Sequence, residues 1–279
     1  MILEIFDVEH GACALITSSS GKRVMIDCGD NATTGWRPGN ELRKRNIGFL
    51  DRLYITNFDE DHVSGYPNLA DNINIGALFR NPTVMPRTIR HLKSEDGMGV
   101  GIERLVWSLE NYFTGGPVPS NQDFGDTFFT NYCNPYGFLP GQFDDENDLS
   151  FVTFVRCGAH KIIFPGDMEC EGWLALLRNP SFVTELSGVH IFVASHHGRE
   201  NGYCEEVTRL CPNIQVVVIS DRAKGYQSQE TTDRYRAHAR GFDYQGTYRR
   251  VLTTRRDGYM WFSFPTLGSA SVVLGTAAA

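Results

Sequence analysis

At 279 residues, 41% hydrophobic and 21% charged, the chain has material for one large core, in one domain or two, and its formal charge of -7 argues against a surface coated for nucleic-acid binding. No apolar run reaches the roughly 18 residues that span a bilayer, and residues 1–6 enter a strand pattern without a basic leader or cleavage signal, so no membrane association and a cytoplasmic location are expected. Seven cysteines, an odd number without C-x-x-C spacing, read as free thiols packed as small hydrophobes, and point to neither a disulfide framework nor a zinc finger.

Runs rich in β-branched residues predict strands at residues 2–8, 12–17 and 23–26, a helical pattern follows at 40–46, and a further strand at 53–56. The stretch 80–146, interrupted by Pro82, Pro86, Gly115, Pro117, Pro135 and Pro140, reads as an insertion. It carries one amphipathic helix at 101–113, apolar at Ile102, Leu105, Val106 and Leu109, and is expected to serve as a lid, as a surface for protein partners, or as decoration. Beyond it, strands are predicted at 151–155, 161–164, 189–194, 215–219 and 259–264, with helices at 170–177, 203–210 and 230–240. Strand pairs followed by helices, in two successive halves, predict two packed sheets with helices outside. No repeat is present, and the only biased tract is the small-residue tail 268–279.

The residues that carry chemistry cluster after strands. Residues 56–65 read T-N-F-D-E-D-H-V-S-G, which crowds Asp59, Asp61 and His62 into one short loop. Carboxylates and imidazole gathered so closely favour a divalent cation that neutralises them, although an acidic loop can also be plain solvated surface. Asp167 follows the strand at 161–164 through F-P-G-D, as a helix cap or a ligand. His196 and His197, in S-H-H-G, close the strand at 189–194. Each group ends a strand, so one sheet edge can gather them all. Between residues 199 and 257 eleven bases face eight acids, against the acidic sign of the whole chain. A basic face beside an acidic loop suits a phosphate-bearing substrate, with Arg199 and Lys224 as candidate phosphate clamps.

This series resembles the metallo-β-lactamase fold superfamily, with its H-x-H-x-D-H motif, a later Asp and a still later His. The opening F-D-V-E-H-G-A-C-A-L-I, then V-M-I-D-C-G, T-N-F-D-E-D-H-V-S-G, E-N-D-L-S-F-V, F-P-G-D and S-H-H-G are similar to the hydrolase domain of ComEC-type competence proteins, over about residues 1–264 with 80–146 unmatched. The resemblance implies an α/β fold, a four-layered αββα sandwich in a single domain over 1–279, and hydrolysis by metal-bound hydroxide. It implies that Asp61, His62, Asp167 and one of His196 or His197 hold one metal, that Asp59 holds another with Asp167 bridging, and that Asp59, Asp61 or Asp167 accepts the proton. Asp27 matches a buried acid that orients a ligand; Asn147 and Ser150 match a supporting motif. Asn57 stands where the family commonly has histidine, and Y-Q-S-Q-E, around Tyr226 and Gln227, lacks a later one. An oxygen-rich site favours Mn²⁺ or Mg²⁺ at least as readily as Zn²⁺, as one ion or two. The expected activity is a metal-dependent phosphodiesterase or nuclease on DNA or RNA, either alone or as the free-standing nuclease of a larger system such as phage defence. The alternative is a catalytically weakened module that binds or senses.

Overall fold

The computed structural model describes residues 1–95, 97–114, 122–222, 231–265 and 269–275. In chain order the first half comprises β1 (Ile2–Ile5), β2 (Cys13–Thr17), β3 (Arg23–Cys28), α1 (Pro38–Lys44), β4 (Phe49–Leu50), β5 (Arg52–Tyr54), α2 (Glu60–Val63), α3 (Tyr66–Asn72), β6 (Asn74–Ile75), β7 (Leu78–Phe79), α4 (Pro86–Leu92) and α5 (Val100–Asn111). The second comprises β8 (Thr127–Tyr132), β9 (Val152–Cys157), β10 (His160–Phe164), α6 (Cys170–Leu176), α7 (Pro180–Leu186), β11 (Ile191–Val193), α8 (Glu205–Arg209), β12 (Val216–Ile219), α9 (Thr232–His238), β13 (Phe242–Tyr244), β14 (Thr247–Arg249), β15 (Val251–Thr253), α10 (Thr254–Asp257), β16 (Tyr259–Ser263) and β17 (Ser271–Gly275).

One sheet runs β17-β16-β1-β2-β3-β5-β7 and the other β15-β12-β11-β10-β9-β8. Alternation along the strands decides the layers. In β2 and β3, Ala14, Ile16, Val24 and Ile26 join a core that reaches Val155, Ile162, Ile191 and Val218 of the other sheet, whereas Leu15 and Met25 join a separate core with Leu42 of α1, Leu69 of α3 and Leu105 of α5. On the far side, Phe154, Ile163, Phe192 and Val217 pack against Trp173 of α6, Phe182 of α7, Val207 of α8 and Tyr235 of α9. The result is the four-layered αββα sandwich expected for a metallo-β-lactamase fold.

All nine predicted strands and all five predicted helices are present within a few residues of their expected bounds. The stretch 80–146 is more than an insertion on a finished framework. Its β8 is the edge strand of the second sheet, pairing antiparallel with β9, and α4 and α5 cover the first sheet through Ile89, Ile102, Leu105, Val106 and Leu109. The biased tail contributes β17, which pairs with β16. Both strands lie at sheet edges, where half-exposed residues blur the alternation that marks an interior strand.

The parallel strands share one polar rim. β3 and β5 pair in parallel, as do β10, β11 and β12, so within each sheet the carboxyl ends point the same way, where ligands of open α/β sheets gather. Among the described residues, no helix is long and apolar enough to cross a membrane.

Candidate metal centre

Asp27 is the extra residue of a β-bulge. Cys13 pairs with Cys28 and Ala14 with Ile26, which leaves Asp27 without a partner and at φ 54°, in the left-handed region. The kink turns its carboxylate inward, where Oδ1 accepts the Thr56 amide at 2.7 Å and Oδ2 accepts the Thr56 hydroxyl and His62 Nδ1–H, the last at 2.9 Å. His62, buried on α2, therefore keeps its proton on Nδ1 and turns Nε2 to Asp167 Oδ1, 2.9 Å away.

The second imidazole is placed by unusual backbone. His196, His197 and Gly198 have φ of 48°, 52° and 75° in succession, a conformation that non-glycine residues rarely adopt. His197 Nδ1 donates to the Ser220 carbonyl at 3.1 Å, so Nε2 faces Asp61 Oδ2 at 3.2 Å and Asp167 Oδ1 at 3.5 Å. That buried Nε2 has no hydrogen bond of acceptable geometry. Glycines let the Asp61 loop approach: a Cβ on Gly11 or Gly29 would stand 2.4 or 2.3 Å from the Asp61 carbonyl oxygen.

Of the predicted ligands, Asp61, His62 and His197 bring donor atoms within 4.8 Å of one another, and Asp167 Oδ1 lies beside both imidazoles. His196 turns to the rim. Its Nδ1 lies 3.3 Å from Glu169 Oε1, and its Nε2, 3.8 Å from Asp167 Oδ2, faces the guanidinium of Arg199 at 2.9 Å. Asp59 is paired with Lys93, whose ammonium also meets Glu146 Oε1 at 2.7 Å. Asn57, fully buried, donates to Asn147 Oδ1 and Ser150 Oγ at 3.1 and 3.2 Å and accepts the Asp59 amide at 2.8 Å. Ser150 Oγ in turn accepts the Asp167 amide, and Asn147 donates to Glu169. These three side chains bind the loops to one another. Lys224, Tyr226 and Gln227 lie outside the described residues.

Lys93, Glu146 and Glu169 escaped sequence reasoning, as did Gly11 and Gly29, although both glycines fall inside the motifs that opened the chain. So did His10, whose ring lies 6.4 Å from that of His197. Glu146 is the first residue of E-N-D-L-S-F-V, a weak signal; Lys93 offers none.

Charge explains the arrangement. Burial disfavours the imidazolium of His62, yet the carboxylates of Asp167 and Asp27 outweigh it and hold the group protonated well above its ordinary range. His197 behaves likewise: burial pulls it down, but Asp167 and Asp61 raise it to about 10. Asp167 stays ionised well below the usual carboxylate range despite its burial, because both imidazoles face it. His196 is the contrary case, lowered by burial against the pull of Asp167. Two protons thus balance the buried carboxylates, and one divalent ion would replace them without a change of charge.

The donor set fits such an ion. Bonds of about 2.0–2.2 Å at tetrahedral angles place ligand atoms about 3.3–3.6 Å apart; of the separations given above, 3.5 Å lies in that range, and 3.2 and 2.9 Å fall short of it, so that the pairs would open slightly around an ion. A cavity of about 30 Å³ lies among Asp27, Thr56, His62, Asp167, His197 and Ser220.

No family model matches the chain. It is 33% identical over 69 residues to a ribonuclease Z of Bradyrhizobium diazoefficiens, covering 24% of this chain and 21% of that protein. It is 26% identical over 105 residues to a ribonuclease Z of Alkaliphilus oremlandii, covering 37% of this chain and 31% of that protein. The chain therefore aligns with a fifth to a third of these relatives. The crystal structure of the metallo-β-lactamase fold protein YhfI from Bacillus subtilis superposes with a TM-score of 0.47 at 10% identity, over 93% of this chain and 99% of that one.

Proposed function

We propose that the chain is a metal-dependent hydrolase that cleaves phosphodiester bonds in DNA or RNA, with a divalent ion held by Asp61, His62, Asp167 and His197. One observation carries this reading: two imidazole Nε2 atoms and two carboxylates converge while both Nδ1 atoms are pinned, by Asp27 and by the Ser220 carbonyl. The segmental similarity to ribonuclease Z supports nucleic acid as substrate. The ion would polarise a phosphoryl oxygen and acidify a water; its two carboxylate and two imidazole donors suit Mn²⁺, Mg²⁺ or Zn²⁺.

The residues supply the remainder. Arg199, beside His196, is placed to bind a non-bridging phosphate oxygen, and the rim network of Asn57, Asn147 and Glu169 holds the loops that frame the substrate. Asp61 is more exposed than Asp167, so it is the better acceptor for the proton of an attacking water. The exposed Val100, Trp107 and Tyr112 of the α5 region offer protein partners an apolar surface.

The test is release of nucleotides from single- and double-stranded DNA and from RNA across Mn²⁺, Mg²⁺ and Zn²⁺, with elemental analysis of the purified chain. Activity that Asp61→Ala abolishes supports the reading; inertness towards every phosphodiester with every ion refutes it. A second reading, a module that binds phosphodiesters without cleaving them, is favoured by Asn57, whose amide is spent on its neighbours and offers no imidazole. It predicts metal uptake without turnover.

A further inference from the structure

The Asp59 side of the centre already contains a cation. Lys93 follows α4 with only 6% of its surface exposed, and its ammonium lies between the carboxylates of Asp59 and Glu146. A lysine so buried is retained only where its charge is matched. Glu60, next to Asp59, fixes the segment that delivers it: its two carboxylate oxygens accept the amides of Gly101 and Ile102, at 2.8 and 3.1 Å, at the start of α5. The approach is close, since a Cβ on Gly99 would stand 2.2 Å from that carboxyl group. The α2 loop and the α4–α5 segment are therefore clamped together, and Lys93 has little room to withdraw.

We propose that Lys93 is the fixed positive charge on this side, so that the centre takes a single divalent ion, at Asp61, His62, Asp167 and His197, and Asp59 is not a ligand. Apart from His196 Nδ1, which lies 3.3 Å from Glu169 Oε1 without a hydrogen bond, the donors nearby are already engaged. Both ends of the Asn57 amide bond within the loops, and Glu169 Oε1 accepts from Asn147 and Asn201. An ion at Asp59 would face the ammonium across one carboxylate, at a separation where like charges repel strongly in a poorly solvated setting.

This inference rests on the metal-centre reading above, and counting bound Mn²⁺ on the full chain separates the two. Wild type should take up one equivalent. Lys93→Met, which removes the charge and keeps the stem, should take up a second, bound at least about tenfold more weakly than the first, whereas Lys93→Arg should stay at one. Asp59→Asn should leave the affinity for the single ion within about threefold of wild type. Two equivalents in wild type would overturn the inference alone, as would a folded Lys93→Met chain that still takes one, or a tenfold loss of affinity in Asp59→Asn. If Lys93→Met fails to fold, the wild-type count and Asp59→Asn still decide. No uptake by wild type would overturn the metal-centre reading, and this inference with it.

Discussion

Asp27→Asn is the substitution that most directly probes how the centre is held. It keeps the shape of a side chain that touches neither substrate nor solvent, and exchanges one acceptor oxygen for an NH₂ donor. Asp27 serves three donors: the Thr56 amide, the Thr56 hydroxyl and His62 Nδ1–H. With the remaining oxygen kept for the Thr56 amide, the new NH₂ faces the other two, and neither can go on donating to it. His62 must then move its proton to Nε2, the atom turned to Asp167 and the proposed ion. A hydrogen bond to a charged group contributes about 1.5–3 kcal/mol. Changes to such outer partners of a metal ligand cost about 10–100-fold in affinity, or about 1.4–2.8 kcal/mol, so the two routes agree. The assay is Mn²⁺ affinity by competition with a chromophoric chelator, with circular dichroism confirming the fold. A folded Asp27→Asn chain that binds Mn²⁺ within about threefold of wild type would refute the claim that Asp27 sets the His62 tautomer.

Three further outcomes are expected. His197→Ala should lose metal affinity by at least about 100-fold and His196→Ala by less than about tenfold, because His197 Nε2 faces Asp61 and Asp167 whereas His196 Nε2 faces the Arg199 guanidinium and its Nδ1 faces Glu169; equal losses would contradict the placement. Gly29→Ala places a methyl against the Asp61 carbonyl and should cost about 1–3 kcal/mol, lowering Tm by about 2–12 °C; an unchanged melting curve would show that the loop yields freely. The metal-free chain should lose stability as pH rises from about 6.5 through about 10. His197, raised in the fold, contributes stability that is complete below its ordinary pKa of 6.5 and is lost as pH passes its folded value; saturating Mn²⁺, which takes the place of the proton, should remove that decline in Tm, and an identical decline with and without the ion would count against the exchange.

Much of the architecture was legible because it is written locally. Each interior strand carries β-branched or aromatic residues, and the odd-even alternation of residues 13–17 and 23–26 already separates the face between the sheets from the face under the helices. Asp61 and His62 stand side by side in one motif, and Asp167 and His197 each end a strand, so their types and places are readable. Edge strands such as β8 and β17 are not, because most of their residues are half-exposed and show no clean alternation. Helix α4 was not read either, because Pro86 at its first position reads equally as a break in the chain.

Which of two adjacent histidines faces the centre depends on two successive left-handed residues, against the intrinsic preference of both, and therefore on what the Ser220 carbonyl offers from 23 positions away. Lys93 reaches Asp59 across 34 positions of chain, and neither residue announces the other. The sequence by itself determined the kinds of groups available and the strands that carry them, since backbone preference and side-chain chemistry are local properties. The tertiary structure alone decided which groups meet, since burial and charge pairing between distant segments are settled only when the layers pack.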